Sequence, residues 1–272
     1  MPTFAKPVLY EVPTCLRWSP IGTLNRKTKR KKGMELNKIY QKDCFDLLAG
    51  LDDNSADLMF LDPNYQDWGK LIADGLVSEC FRILKETGNI LMFTKKPYDY
   101  ELRNQINYCF RNEIIWKYIK TGNWVSNKMP TYSYHKIFWC CGKNFFFNPR
   151  TGMPYSPNTK QGDKGYLVFD GYKEKSKPFF NSEEGIWLND LLNIERKRED
   201  GGNIPTKPIE LCQILIRCFS PKGGLIIDPF MGGGNMIVTA KKEGRNYIAG
   251  DIDKSCFDFV TDKLLKTEYE LF

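Results

Sequence analysis

Leu225-Ile226-Ile227-Asp228-Pro229-Phe230-Met231-Gly232-Gly233-Gly234-Asn235 is the stretch on which the fold turns. Its three leading apolar residues read as a short buried strand. Asp228-Pro229 opens that strand into a glycine-rich turn, and a helix follows through Lys242. A strand, a loop whose backbone can approach a ligand closely, and a helix start with free N–H groups form a ligand-binding unit of open α/β sheets. The loop is not a phosphate-binding P-loop, because no Gly-Lys-Ser/Thr follows it. Beyond it a second strand, Tyr247-Ile248-Ala249, ends at Asp251. An acid at that place commonly accepts hydrogen bonds from ribose hydroxyls. Its neighbour Asp253 reads instead as a turn residue that caps a helix.

Working outward, strands alternate with helices. Residues 36–40 read as a strand, Cys44 to Leu51 has helical spacing, and Ala56 to Leu61 is a continuous apolar run that suits a buried central strand. Residues 70–86 carry apolar side chains at helical spacing and stop before Thr87-Gly88; residues 89–94 are again strand-like. A helix over 98–110, strands at 113–116 and 134–141, and a helix from Lys207-Pro208 through Phe219 complete the pattern. It predicts an α/β fold with a mostly parallel, doubly wound sheet. Residues 144–203 are different, rich in Gly, Pro, Asn, Lys and aromatics with no sustained period. The expected divisions are an arm at 1–33, two halves of one domain at 34–143 and 204–272, and an inserted region at 144–203.

The run Ala56–Leu61 stops at Asp62-Pro63-Asn64-Tyr65. A carboxylate closing a buried strand lies on the edge where such sheets bind ligands. Pro63 stiffens the turn and leaves backbone carbonyls free to accept, while Tyr65 offers a ring face. Acid, carbonyl and aromatic together suit an exocyclic amine on a flat base.

Composition sets the limits. The 272 residues are 42% hydrophobic and 27% charged, as in an ordinary folded domain, and no apolar run reaches membrane-span length. Nine cysteines, none at Cys-x-x-Cys spacing, argue against a zinc module or a disulfide framework. A single histidine offers no His-based metal cluster, so no metal is expected. The cytoplasm is the expected compartment, and no membrane partner is expected. Net charge is +7, and all of it lies in residues 1–33, where eight basic side chains face Glu11 alone. Clustered Lys and Arg of this kind read as a solvated tail or as phosphate contacts made by counterion release.

The two loops together resemble the amino-methyltransferases of DNA. The catalytic motif of that family is Asp/Asn/Ser-Pro-Pro-Tyr/Phe, and its S-adenosylmethionine loop is Asp-Pro-Phe-x-Gly-x-Gly-Thr. Here the catalytic motif precedes the cofactor loop, the permuted order of the β group. Lys207-Pro208, Gly244-Arg245-Asn246-Tyr247-Ile248 and Asp43 agree with the same resemblance, which covers most of residues 34–272. It implies a Rossmann-like S-adenosylmethionine-dependent methyltransferase, with residues 144–203 as a target-recognition region. The implied reaction is methylation of adenine N6 in double-stranded DNA, on a base turned out of the stack. Asp62, Pro63, Asn64 and Tyr65 would form the catalytic motif. Asp43, Lys207, Asp228, Phe230, Gly232, Gly234, Asn235 and Asp251 would hold the cofactor. Cytosine N4, an RNA substrate, or a catalytically silent subunit that binds DNA and cofactor are the alternatives. A homodimer and a cognate restriction endonuclease are further partners that the resemblance leaves open.

Two positions depart from the family pattern: Asn64 replaces the second proline, and Asn235 replaces the usual Thr or Ser. His135 is followed by Lys136 where the family often has Glu, and it reads as a structural histidine. Lys95-Lys96 and Arg196-Lys197-Arg198 are candidates for phosphate contact, and Trp124 for entry into a groove. Phe145-Phe146-Phe147 reads as packing.

Overall fold

The structure, a computed structural model, describes residues 33–117, 133–151, 188–195, 204 and 206–269. The arm at 1–32, the basic run at 196–198, Trp124 and the centre of the expected insertion, 152–187, lie outside the described residues.

Among the described residues, eight strands, numbered along the chain, form one sheet. Their spatial order is β1 (Lys38–Gln41), β8 (Asn246–Asp251), β7 (Leu225–Asp228), β2 (Ala56–Leu61), β3 (Leu84–Thr94), β5 (Tyr134–Cys141), β4 (Phe110–Lys117) and β6 (Leu191–Asn193). All pairings from β1 through β3 are parallel; β5 runs antiparallel to both of its neighbours, and β6 is parallel to β4. The mostly parallel α/β sheet expected from the alternating pattern is the one observed.

The sheet is covered on both faces, which is why β2 is apolar at nearly every position. Leu58 and Phe60 enter one core with Leu91 and Phe93 of β3, while Met59 and Leu61 enter the other with Ile90 and Met92. The first core is closed by Leu211 and Leu215 of α5 (Ile209–Phe219), Ile237 of α6 (Asn235–Lys242) and Val260 of α7 (Lys254–Tyr269). The second is closed by Leu48 of α1 (Cys44–Ala49), Ile83 of α3 (Leu76–Ile83) and Leu102 of α4 (Tyr98–Gln105). Each such side chain contributes about 1.5–3 kcal/mol of burial free energy, so the helices cannot shift without exposing a core.

Three local expectations need correction. The single helix expected over 70–86 is two, α2 (Trp68–Ala73) and α3, parted at Gly75, whose φ of 92° lies in the left-handed region. The chain then turns extended at Leu84, not at Thr87-Gly88, and β3 runs through those residues. Gly88 serves that strand: a Cβ there would lie 2.6 Å from the Leu84 Cδ1 and 2.9 Å from the Ala56 oxygen, beside a register shift in the β2–β3 pair. The helix expected to reach 110 stops at Gln105.

Residues 144–203 are not wholly an insertion on the sheet. Phe145 and Phe147 pack on Trp139 at ring separations of 5.3 and 5.2 Å, and β6 adds a strand within the same region. Buried Asn89 locks this side. Its amide donates to the Phe146 and Phe219 oxygens at 2.7 and 2.9 Å, and its carbonyl accepts from Trp139 Nε1 at 2.8 Å. Among the described residues no helix is long and apolar enough to cross a membrane.

Candidate active site

Four acids stand at the carboxyl ends of four neighbouring strands. In spatial order they are Asp43 beyond β1, Asp251 at the end of β8, Asp228 at the end of β7, and Asp62 just after β2. Neighbouring strands lie about 4.8 Å apart, so the acids line about 14 Å of one sheet edge. Parallel pairing sets this arrangement, since it aligns the strand ends on the side where open α/β sheets take ligands.

Asp228 is the most enclosed of the four, at 1% exposure. Burial pushes its carboxyl well above the usual carboxylate range. The Phe230 N–H, 3.1 Å from Oδ1, and the Lys207 ammonium work against that rise, and Asp62 and Asp251 add to it. The glycine loop continues from there. Gly232 and Gly234 take φ values of 47° and 72°, which side chains with a Cβ adopt only under strain. The Gly232 N–H donates to Asp251 Oδ2 at 2.9 Å, and the Met231 N–H donates to the Gly250 oxygen at 3.0 Å. A Cβ on Gly234 would meet the Val260 methyls at 2.6 Å, so this glycine is required by the packing of α7 against the loop.

The neighbouring groups are tied down in turn. Asp251 Oδ1 accepts from the Asp253 N–H at 3.0 Å. Asp253 itself accepts from the Ser255 N–H at 2.8 Å, the capping role its position suggested. Asp43 caps α1, accepting from the Phe45 N–H at 2.9 Å. Asn235 is buried and bridges two segments: its Nδ2 donates to the Lys207 oxygen at 2.7 Å, and its Oδ1 accepts from Lys263 of α7.

A second group of contacts centres on Asp62. The Lys207 ammonium pairs with Asp62 Oδ2. The Tyr65 hydroxyl donates to Asp62 Oδ1 at 3.2 Å and also lies 2.7 Å from His135 Nδ1. Pro63 is buried and Asn64 is exposed, with φ at −57°, close to the value a proline ring imposes. Trp68 anchors the far end of this turn through Nε1 and the Phe93 oxygen at 3.0 Å. The Lys95 ammonium stands 5.4 Å from the Tyr65 ring centroid.

Two side chains make contacts that the sequence did not announce. Lys207, expected on the cofactor side, places its amine on Asp62, although its backbone oxygen stays with the glycine loop through Asn235. His135, read as structural, contacts Tyr65 directly. Its signals in sequence are that it is the one histidine of the chain and that it stands where the resembled family often has His-Glu. Among the described residues no group of three or more His, Cys, Asp or Glu could hold a metal ion.

A family model for N6/N4 enzymes described as DNA methylase matches residues 50–262. The Type II methyltransferase M1.MboII of Moraxella bovis is 24% identical over 249 residues, which cover 81% of this chain and 93% of that protein. The crystal structure of an M1.HpyAVI–SAM complex superposes with a TM-score of 0.60 at 16% identity, covering 84% of this chain and 98% of that one. The cytosine-N4-specific PvuII DNA methyltransferase gives 0.58 at 13% identity, covering 82% and 84%.

Proposed function

This chain belongs to the N6/N4 DNA methylase family, and from that premise we propose that it methylates N6 of adenine in double-stranded DNA with S-adenosylmethionine as donor. The observation that carries the reading is the position of Asp62: a carboxylate held at both oxygens, on the same edge as Asp228 and Asp251, one strand from the glycine loop.

The residues present fit the cofactor. S-adenosylmethionine supplies an activated methyl group on a positively charged sulfur, and an edge that carries Asp43, Asp62 and Asp251 favours that charge. Asp251 would take the ribose hydroxyls on lone pairs left by the Gly232 and Asp253 N–H groups. Asp43 and Phe230 would flank the adenosyl group, and Gly232 would let the loop backbone approach it. Lys207 and Asn235 would hold the two loops together from behind. A base turned out of the duplex would present its amine to Asp62 and to the Pro63 carbonyl, both acceptors, leaving the nitrogen lone pair aimed at the methyl group. Tyr65 would lie against the base. Such a site accelerates transfer mainly by positioning.

Asp at the first motif position favours adenine over cytosine. The backbone at Asn64 already takes a proline-like φ, which supports an intact turn and an active enzyme. Reading of the DNA sequence is assigned to residues 144–203. The Type II relatives support a restriction-modification setting with a cognate endonuclease. Incubation with DNA and methyl-labelled cofactor, followed by digestion to nucleosides, tests the proposal: label in N6-methyladenine is expected. Label in N4-methylcytosine would move the activity to the other base, and none in DNA would remove it.

A further inference from the structure

His135 lies on β5 and is buried, and its Nδ1 is 2.7 Å from the Tyr65 hydroxyl. The same hydroxyl is 3.2 Å from Asp62 Oδ1. A phenol has one proton and can donate only once. Asp62 is ion-paired with Lys207 and has no proton to give, so its contact with Tyr65 uses the phenolic proton. The other bond of that hydroxyl must then come from His135, with a proton on Nδ1. Asp62 thus sets the protonation of a histidine it does not touch, with Tyr65 as the link. The ring planes are held as well: Tyr65 meets the imidazole edge-on at 5.5 Å, and Trp116 lies 5.3 Å from it.

We propose that His135 is a positioning residue for methyl transfer: as an Nδ1–H donor it holds the Tyr65 oxygen, keeps the phenolic proton on Asp62, and so fixes both the carboxylate and the ring that receive the target base. The role in transfer rests on the DNA amino-methylation proposed above. Lys207 fixes Asp62 Oδ2 and Tyr65 fixes Oδ1, so the lone pairs left for an amine have one orientation. Were Nδ1 unprotonated, it would compete with Asp62 for the single phenolic proton, and Asp62 would lose that restraint.

A protein with one histidine makes the test direct. Nitrogen-15 labelling of histidine gives a single pair of ring signals, and long-range proton–nitrogen correlation assigns which nitrogen carries hydrogen. Nδ1 is expected to be protonated in the wild-type protein, and Tyr65→Phe should shift the ring toward the Nε2–H form. A bare Nδ1 in the wild type would overturn the arrangement, whatever the enzyme does to DNA. The role in transfer is read from His135→Phe and His135→Asn. Phe keeps the ring between Tyr65 and Trp116 but donates nothing, whereas Asn offers an N–H near the Nδ1 position. Phe should lower kcat by about 10- to 100-fold, the scale of a misplaced reacting group, with cofactor affinity unchanged, and Asn should recover part of that drop. Equal or better turnover by the Phe variant would show that His135 only fills space. Absence of any methyl transfer by the wild type would overturn the proposed function, and the spectrum would still decide the hydrogen-bond arrangement.

Discussion

The side-chain amide of Asn235 donates to the backbone oxygen of Lys207 at 2.7 Å, and the amine of that same lysine reaches Asp62. The last residue of the glycine loop thereby holds the segment that braces the carboxylate proposed to receive the base. Asn suits the place because it donates and accepts at once, and its Oδ1 is taken by Lys263. A threonine hydroxyl has one proton and a shorter reach. The departure from the family pattern at this position is thus a change of bracing, with a partner on α7.

Asn235→Ala should lower the unfolding free energy by about 1.5–3 kcal/mol, the range for losing a hydrogen bond with a charged partner. Methyl transfer should fall by more than the stability change explains, because Lys207 loses its tether. Urea denaturation and single-turnover transfer, run on the same preparation, measure both. Full turnover at reduced stability would separate the tether from the site.

Asp62→Ala should abolish methyl transfer while cofactor affinity stays within about threefold, or roughly 0.6 kcal/mol. The carboxylate contacts Lys207 and Tyr65, and the glycine loop is held by other groups. Calorimetry with S-adenosylmethionine is the check. Loss of binding together with activity would place Asp62 in the cofactor site.

Asp251→Ala should weaken cofactor binding by about 1.5–3 kcal/mol, since it removes a charged acceptor and leaves the Gly232 N–H without its partner. Asp253→Ala should instead lower Tm, with affinity almost unchanged, because Asp253 caps a helix. The reverse pattern would exchange the two roles.

Asp228 links stability to pH. Burial raises its carboxyl pKa in the folded state above the ordinary value of about 3.9, so folding favours the protonated acid. The stabilisation is whole below that ordinary value and is lost as pH climbs through the raised one. Asp228→Asn retains an acceptor for the Phe230 N–H and removes the titration. It should therefore gain stability relative to the wild type from about pH 4 upward. Denaturation curves across pH decide: parallel curves for the two proteins would mean that Asp228 carries no such linkage.

The basic arm gives a prediction in solution. A chain starting at Met34 should bind DNA more weakly, with a salt dependence shallower by about 0.9 in log–log slope for each phosphate that the arm no longer neutralises. Cofactor affinity and the methylated sequence should not change, because the motifs proposed for cofactor binding and catalysis follow Met34. An unchanged slope would make the arm a solvated tail.

The carboxyl-edge acids are legible in the sequence because a buried apolar run and the acid that ends it are local features. Ala56–Leu61 with Asp62, and Leu225–Ile227 with Asp228, fix both the strand and the end at which its acid stands. The rest depends on distant pairing. Tyr65 and His135 are 70 residues apart and meet only because β5 runs antiparallel beside β3. Lys207 and Asp62 are 145 residues apart. β6 is three residues long and has no period to show, and α7, which closes the first core through Val260, carries no motif that announces it. Gly75 and Gly88 mislead for another reason. A glycine marks an unusual backbone or a close neighbour, and sequence alone does not say whether it breaks a helix or relieves a strand.

Gly234 has a bearing on how the polypeptide tolerates shortening. Its missing side chain leaves room for the Val260 methyls, so the C-terminal helix lies directly against the loop backbone. That helix is a backstop: Lys263 grips Asn235 one residue further along, and the loop rests between the two contacts. Trimming the chain back past Val260 would therefore not remove a peripheral appendage. It would leave the glycine turn unsupported on its outer side, and the damage would be felt at the opposite end of the sequence from the motif proposed to do the chemistry.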